Sequence, residues 1–207
     1  MHYEPLVRRS QFIKHLDDVS SEELDEMIAL LPEWRREVVM KYKFEQGRKE
    51  SAVAYMLLCR GLRECYGITE MPEFEYGEHG KPTLKGHPEI HFNLSHCKKA
   101  VVCVLSDHEI GVDVECLGRL YDRNGEVRDA LAHYTLCDEE YNRVMSADDP
   151  DAEFTKLWTR KEALLKLTGE GITDDIKTVL YKYNNVKIET VLDKDKGYAV
   201  SVAKKVP

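Results

Sequence analysis

The sequence predicts an α+β protein made of two similar halves, each with helices packed on a small, mainly antiparallel sheet. Two observations lead to this prediction. Apolar residues first recur at helical spacing and then, from residue 90, at every second position, as in strands. The same order, helices followed by a short antiparallel meander, occurs again after residue 107. We therefore expect halves at residues 1–107 and 108–207, an expectation that rests on element order alone, because no sequence identity relates them.

The first half begins with a polar segment of little pattern, and its helices follow. Ser20 or Ser21 can cap a helix over residues 20–31, and the acidic residues just after them suit its positive end. Pro32 ends this helix and is compatible with the first turn of the next one. That second helix is expected over about residues 33–64, with Gly47 as a candidate break.

The strands of the first half are expected after a loop region. Residues 67–88 are rich in Gly and Pro and predict loops with short strands at most. From residue 90 the apolar positions alternate, and residues 100–105 form a continuous apolar run, typical of a strand covered on both faces. After a turn at residues 106–108, every second residue from 110 to 114 is apolar, which predicts a half-buried strand.

The second half repeats this order loosely. Residues 127–145 and 151–168 are expected to be helices separated by a polar turn that contains Pro150. A meander of three strands should follow at residues 178–183, 186–192 and 198–206, with turns at Asn184-Asn185 and before Gly197.

Composition and charge exclude several classes of protein. The 207 residues are 43% hydrophobic and 33% charged, as in a folded globular protein, and no apolar stretch has the length of a membrane span. The net charge of −8 argues against broad nucleic-acid binding. Between Trp34 and Lys49 six basic and two acidic residues give a local charge of +4, either a phosphate-facing patch or a solvated helix face.

The cysteines and the N-terminal residues predict a cytoplasmic protein. Six cysteines occur without a CxxC pair, and residues 1–10 contain two arginines but no apolar region of an export signal. We therefore expect reduced thiols. Cys97 and Cys103, near two histidines, do not have the spacing of a common zinc site.

Two acids on the expected strand after residue 109 are the first candidates for chemistry. Asp113 and Glu115 are two residues apart, so both side chains project from one face of the strand. Two carboxylates this close repel each other unless a positive group lies near them, and a hard cation such as Mg²⁺ would serve. An exposed strand face with ordinary acids is the alternative, and it is favoured for an isolated DxE pair.

A second candidate region is the helix over residues 154–166. Glu162 and Lys166 lie together beside its apolar stripe and could form a simple i,i+4 surface pair. Lys161 lies within the apolar stripe. A lysine in that position needs an anion nearby, unless its ammonium group extends back to solvent.

Two shorter motifs are weaker signals. Asn93-Leu-Ser-His96 could bind phosphate or a nucleotide at a strand end, and Gly80-Lys-Pro82 places a lysine in a loop. Ser95 and His96 are adjacent on a strand and therefore point to opposite faces, so they do not form a nucleophile pair.

Taken in order, these motifs resemble a known family. GKP, NLSH, GVDVE and WTRKEALLK, between residues 80 and 171, resemble the motifs of the 4′-phosphopantetheinyl transferases of the larger, monomeric Sfp-type class. This resemblance implies the pseudo-duplicated fold of that family, with coenzyme A bound between the halves. It also implies coenzyme-binding contributions from residues 1–107, and the metal site, the KEA helix and carrier docking in residues 108–207.

The resemblance also implies roles for residues of the second half. Asp113, Glu115 and Glu162 correspond to ligands of Mg²⁺, and Lys166 to a catalytic contact with the diphosphate. Glu162 is then the expected general base, with Glu140 as a looser alternative that matches an acid proposed as the base in some members.

Further residues correspond to positions that bind the coenzyme. Lys161, like Lys166, corresponds to a contact with the diphosphate. Lys81, Ser95 and His96 match contacts to the 3′-phosphoadenosine end of the coenzyme. Arg48 loosely matches a basic residue that binds the coenzyme. Cys97 stands where serine or threonine is common, and residues 116–125 lack a clear family pattern.

The reaction implied is transfer of 4′-phosphopantetheine from coenzyme A to a serine of an apo acyl or peptidyl carrier protein, with release of 3′,5′-ADP. The implied enzyme is a monomer without nucleic-acid or membrane partners. Carriers are typically acidic and this chain is acidic too, so we expect docking through apolar contact rather than long-range attraction. The alternative is a degenerate relative that binds coenzyme A or a carrier without catalysis. The sequence does not name the carrier.

Overall fold

The computed structural model describes residues 11–76, 80–169, 171 and 174–206. The chain divides into two compact units, Met1–His108 and Glu109–Pro207. The N-terminal residues that the sequence analysis examined for an export signal, 1–10, lie outside the described residues. No helix in the described part of the chain is both long and apolar enough to cross a bilayer.

The described residues of the first unit form three α-helices, a three-stranded antiparallel sheet and a short hairpin. Its elements are β1 (Gln11–His15), α1 (Ser21–Leu30), α2 (Glu33–Met40), α3 (Glu45–Tyr66), β2 (Phe74–Tyr76), β3 (Pro82–Leu84), β4 (His91–His96) and β5 (Ala100–Ser106). The sheet order is β1-β5-β4, and β2 pairs with β3. Strand β5 is central, and its run from Ala100 to Leu105 is fully buried, as its continuous apolar sequence predicted.

Three features of this unit test the predictions from sequence. The expected first helix is confirmed, and Ser20 caps it in a capping box with Glu23. Strand β1 was missed, because its pattern is short and polar and its pairing partner β5 lies some ninety residues further along the chain. The single helix expected over residues 33–64 is instead α2 and α3, and the break precedes Gly47, which lies inside α3 close to the ring of Tyr42.

In the second unit, the described residues form three α-helices and a second three-stranded antiparallel sheet. Its elements are β6 (Ile110–Cys116), α4 (Asp129–Thr135), α5 (Asp138–Met145), α6 (Pro150–Thr168), β7 (Val186–Asp193) and β8 (Tyr198–Lys205). The sheet order is β6-β8-β7, with β8 in the centre. Helix α6 packs on this sheet, and its apolar face forms much of the core of the unit.

Two of the elements predicted for this unit are wrong. Residues 127–145 do not form one helix, because the chain is extended at Leu136 and Cys137 between α4 and α5. The strand expected at residues 178–183 is replaced by 3₁₀ turns at Asp174–Lys177 and Val179–Tyr181, and Val179 is buried in the core of the unit. A short apolar run does not distinguish a strand from a turn that packs its apolar side chains inward.

Gly111 brings helix α6 into direct contact with strand β6. A Cβ atom at this position would lie 2.1 Å from the carbonyl oxygen of Ala163 and 2.5 Å from the amide nitrogen of Leu167, both backbone atoms of α6. Only glycine permits so close an approach of helix and strand. This contact places the part of β6 that carries Asp113 directly beside the part of α6 that carries Glu162.

Candidate active site

Asp113 is almost completely buried on β6. The prediction of a half-buried strand is wrong for this strand, since its residues from Ile110 to Val114 are all buried, and Asp113 is only 4% exposed. Its carboxylate accepts a hydrogen bond from Nζ of Lys166 at 2.7 Å. A buried carboxylate needs such a partner, because burial of an isolated charge is very unfavourable. Asp113 and Lys166 therefore form the ion pair that connects β6 with the last turn of α6.

Glu115 follows on the same strand and is held by two donors. Nε1 of Trp158 donates to its Oε1 atom at 3.1 Å, and the guanidinium group of Arg119 forms an ion pair with the same oxygen. Burial raises the pKa of Glu115, the neighbouring Asp113 raises it further, and Arg119 opposes both effects.

Glu162 approaches these two acids from α6. Its Oε1 atom is buried and has no hydrogen-bond partner in the described part of the chain. Burial raises the pKa of Glu162, and Asp113 and Glu115 raise it further, whereas Lys166 and Arg119 lower it. Three carboxyl groups, two from β6 and one from α6, therefore lie within electrostatic reach of one another. Such a cluster of like charges is unfavourable unless a cation lies near it. Clusters of this kind, with raised pKa values, are typical of functional sites.

The donor set of these acids suits a hard divalent cation, although the side chains are not gathered around one point. Carboxylate oxygens are the ligands that Mg²⁺ prefers, and the unpartnered Oε1 of Glu162 is one such oxygen. Within the described residues, no three His, Cys, Asp or Glu side chains are grouped so that they could hold a metal ion. Asp113 is turned to Lys166 and Glu115 to Arg119. The residues therefore fit the ion in kind, and their side chains must reorient to bind it.

Lys161 has a different environment from the other lysine of its motif. It has no exposed surface, and its Nζ atom donates to Glu140 at 2.6 Å. The carbonyl oxygens of Thr135, Ile176 and Lys177 accept further hydrogen bonds from it, at 2.8 to 3.0 Å. Burial lowers the pKa of Lys161, and its hydrogen bond with Glu140 opposes that effect. The anion that this buried lysine needed is thus the carboxylate of Glu140.

Two roles expected from the family resemblance do not fit this arrangement. Lys161 has four protein acceptors and no surface, so no donor remains for a coenzyme diphosphate. Glu140 is 1% exposed and paired with that ammonium group, which is unsuited to a base that must reach a substrate hydroxyl. Glu140 also borders a cavity of about 430 Å³ between α5, α6 and β7, and the described lining of that cavity contains none of Asp113, Glu115 and Glu162.

The candidates of the first unit lie on α3, on β4 and beside β3. Arg48, near the start of α3, donates from Nε to the carbonyl oxygen of Tyr42 at 3.0 Å. His96, at the end of β4, is half exposed, and its Nδ1 atom lies 3.3 Å from Oε2 of Glu50 on α3. Ser95 is buried, so the adjacent residues of the NLSH motif do point in opposite directions. Lys81 immediately precedes β3 and is partly exposed.

Sequence reasoning missed two contributors to the site. Arg119 was not identified, because residues 116–125 show no family pattern, although its position four residues after Glu115 was the available signal. Trp158 has the helical spacing of an apolar core residue and its ring does lie in the core of the unit, but its Nε1 atom donates to Glu115. A tryptophan with a buried ring and a polar tip commonly has such a partner.

Comparison with known proteins gives matches in both units. The model of the 4′-phosphopantetheinyl transferase superfamily matches residues 109–205, and that of the N-terminal part of 4′-phosphopantetheinyl transferases matches residues 18–108.

Individual relatives cover most of the chain. The 4′-phosphopantetheinyl transferase psf-1 of Bacillus pumilus is 28% identical over 168 residues, 78% of this chain and 68% of that protein. The transferase gsp of Aneurinibacillus migulanus is 25% identical over 205 residues, 92% and 83% of the two chains. The transferase Sfp of Bacillus subtilis strain 168 is 23% identical over 177 residues, 83% and 76% of the two chains. With both units matched and the acids of β6 and α6 in place, the chain belongs to the 4′-phosphopantetheinyl transferase superfamily, in its Sfp-type class.

Proposed function

We propose that this chain transfers the 4′-phosphopantetheine group of coenzyme A to a serine of an apo acyl or peptidyl carrier protein, and that 3′,5′-ADP is released. Asp113, Glu115 and Glu162 would hold the Mg²⁺ ion of this reaction. The observation that supports the proposal most is the approach of three carboxyl groups from β6 and α6, close enough that Asp113 raises the pKa of both Glu115 and Glu162.

The metal requirement follows from the charges of both partners. A diphosphate is strongly anionic, and three carboxylates would repel it. Mg²⁺, when bound, supplies the positive charge that neutralises the diphosphate and the leaving phosphate. Asp113 and Glu115 must then turn at least partly from Lys166 and Arg119, which hold them in the structure.

Lys166 is the lysine of the motif that is available to a substrate. Its side chain is 31% exposed, at the last turn of α6, whereas Lys161 is fully buried. From this partly exposed position the ammonium group of Lys166 can contact a phosphate oxygen of the diphosphate. Phosphoryl transfer depends mostly on positioning and on such charge neutralisation.

Glu162 is the residue that we assign as the general base. The serine oxygen of the carrier forms a bond to the β-phosphorus of coenzyme A, the bond from that phosphorus to 3′,5′-ADP breaks, and the serine proton passes to a carboxylate oxygen of Glu162. Its Oε1 atom is buried and has no hydrogen-bond partner in the described part of the chain, so this oxygen can accept the proton. Glu140 is not assigned this role, because its carboxylate is paired with Lys161.

The first unit contributes the contacts to the 3′-phosphoadenosine end. Arg48, Lys81 and His96 supply positive or hydrogen-bonding groups that are at least partly exposed, whereas Ser95 is buried and points away from His96, so the expected contact of its hydroxyl with the coenzyme is not part of the proposal. Carrier docking relies on apolar contact, since the net charge of −8 gives no long-range attraction to an acidic partner.

The direct test is intact-protein mass spectrometry of apo carriers incubated with the protein, coenzyme A and Mg²⁺. We expect a mass increase of one phosphopantetheine on the carrier and an equal amount of 3′,5′-ADP in the supernatant. Chelation of Mg²⁺ should abolish both products. Glu162→Gln and Asp113→Asn should lose transfer, and Glu139→Gln, which changes an exposed glutamate on α5, should keep it.

Two outcomes would contradict the proposal. Affinity for coenzyme A without product, over long incubation with several carriers, would favour a relative that binds without catalysis. Full activity of Asp113→Asn, or undiminished transfer in chelator, would exclude the proposed metal ligands.

A further inference from the structure

Arg119 lies against two residues of the candidate active site at once. Its guanidinium group forms an ion pair with Oε1 of Glu115 and also lies over the ring of Trp158, 4.8 Å from the centroid. Trp158 donates to the same Glu115 oxygen at 3.1 Å. Glu115, Arg119 and Trp158 therefore form a closed group of three, in which the arginine supplies the only positive charge.

The backbone around Arg119 is held in place by the start of α6. The carboxylate of Asp151 accepts hydrogen bonds from the amides of Gly118 and Leu120, at 2.5 and 2.9 Å. These are the residues immediately before and after Arg119. The arginine is therefore attached on both sides to the helix that carries Trp158 and Glu162, which directs its side chain to Glu115.

The charge of Arg119 also reaches beyond Glu115. It lowers the pKa of Glu162, as does Lys166, so two protein cations oppose the mutual repulsion of the three acids. A guanidinium group on the Glu115 carboxylate repels a second cation, whichever of the two carboxylate oxygens that cation approaches. In the structure, then, a protein cation is bound where the proposed function requires a divalent one.

We propose that Arg119 competes with the divalent cation for Glu115 and so sets the metal affinity of the site. The inference rests on the proposed function, in which Glu115 is a metal ligand. In the metal-free protein the arginine neutralises Glu115, and binding of the cation displaces the guanidinium from that carboxylate. Because the same guanidinium lies over Trp158, its displacement changes the surroundings of the indole ring.

The experiment is a titration of the protein with Mg²⁺ alone, followed by tryptophan fluorescence, without coenzyme A or carrier. The chain has two tryptophans, so Trp34→Phe leaves Trp158 as the single reporter. We expect a saturable change in emission in this background. Arg119→Met keeps an unbranched side chain beside the indole ring and removes the charge, and its affinity for Mg²⁺ should rise by about tenfold. Arg119→Lys, which retains the charge, should bind Mg²⁺ less tightly than Arg119→Met.

A matched variant controls for the general loss of one positive charge. Arg143→Met removes an arginine of the same unit whose ion pair is with Glu153 on α6. Its Mg²⁺ affinity should equal that of the parent protein, since no Glu115 contact is lost. Thermal denaturation with and without Mg²⁺ provides a second measure of binding, and circular dichroism checks that each variant folds.

The outcomes separate this inference from the proposed function. If the parent protein binds Mg²⁺ and Arg119→Met binds it equally or more weakly, Arg119 does not compete, and the metal site stands without it. If neither fluorescence nor thermal denaturation detects Mg²⁺ binding to the parent protein, both the metal site and the role of Arg119 are wrong. If Arg119→Met does not fold, Arg119→Gln replaces it in the same comparison.

Discussion

Two lysines of α6, five residues apart in one motif, have opposite environments. Lys161 is fully buried and paired with Glu140, which is 1% exposed, whereas Lys166 is 31% exposed and paired with Asp113. The first pair also satisfies the carbonyl oxygens at the end of α4 and in the 3₁₀ turn before residue 178. The second lies beside the acids Glu115 and Glu162.

The two ion pairs have different roles, although both lysines belong to one motif: the buried pair is structural, and the partly exposed pair can take part in the reaction. The Lys161–Glu140 pair is buried, and all N–H donors of its ammonium group are bound to protein acceptors. It can therefore hold α4, α5 and α6 together, but it cannot contact a substrate. A pair with exposed surface and neighbouring acids can exchange partners. Lys161 therefore supports the position of Glu162, the next residue on α6, and Lys166 is available to act on the diphosphate.

The largest expected effect is that of Lys161→Met. The substitution leaves Glu140 as an unpaired buried charge and three carbonyl oxygens without a donor, so we expect a loss of about 3–5 kcal/mol in the free energy of unfolding. Urea denaturation measures this loss. The double variant Lys161→Met/Glu140→Leu removes both charges and should regain part of it. A loss below about 1 kcal/mol in the single variant would refute the structural role of the pair.

The next effect concerns the contact between Gly111 and α6, which places Asp113 and Glu115 of β6 beside Glu162 of α6. Gly111→Ala forces a Cβ against backbone atoms of α6, so the helix must shift, and we expect a loss of about 1–3 kcal/mol together with slower transfer. Gly61→Ala on α3 is the matched control. Its Cβ would meet the ends of side chains, Leu105 and Phe12, and alanine favours the helix by about 1 kcal/mol. Equal losses in the two variants would contradict the special role of Gly111.

Lys166→Met should affect activity more than stability. The ammonium group of Lys166 is partly exposed but its partner Asp113 is buried, so the free energy of unfolding should fall by about 1–3 kcal/mol, less than in Lys161→Met. Loss of its positive charge at the diphosphate should slow transfer by about 10²–10³-fold. Lys156→Met, on the same helix and similarly exposed, should change neither quantity appreciably. A variant of Lys166 that unfolds like Lys161→Met would remove the distinction between the two pairs.

The smallest expected effect is a gain in stability from Glu162→Gln in the metal-free protein. The pKa of Glu162 is raised above its ordinary value of 4.5 in the folded state, so the folded protein binds this proton more readily than the unfolded chain. Stability therefore falls as pH rises from that value through the raised pKa. Glutamine does not titrate, so this pH-dependent loss of stability is absent in the variant. We expect its free energy of unfolding at neutral pH to be higher by about 0.5–1 kcal/mol, with loss of transfer activity. Urea denaturation between pH 4 and 8 in chelator measures it, and a variant less stable than the parent at neutral pH would contradict the prediction.

Much of the fold followed from local patterns, and the errors have physical causes. The strands β4 to β8 and the capped helix α1 were predicted, since alternation and capping residues are local signals. The first strand was missed, because its stability comes from pairing with β5. The 3₁₀ turns after residue 173 were missed, because they bury Ile176 and Val179 in a core that other elements complete.

The sequence by itself determined the family, the α+β elements and the set of acids, because spaced motifs and apolar periods are written along the chain. Only the tertiary structure decided which charged groups meet. It paired Lys161 with Glu140 across 21 positions and placed Arg119 over the ring of Trp158 on α6. An ionisable side chain acquires its role from its burial and from its partners, and neither is set by its neighbours in the sequence.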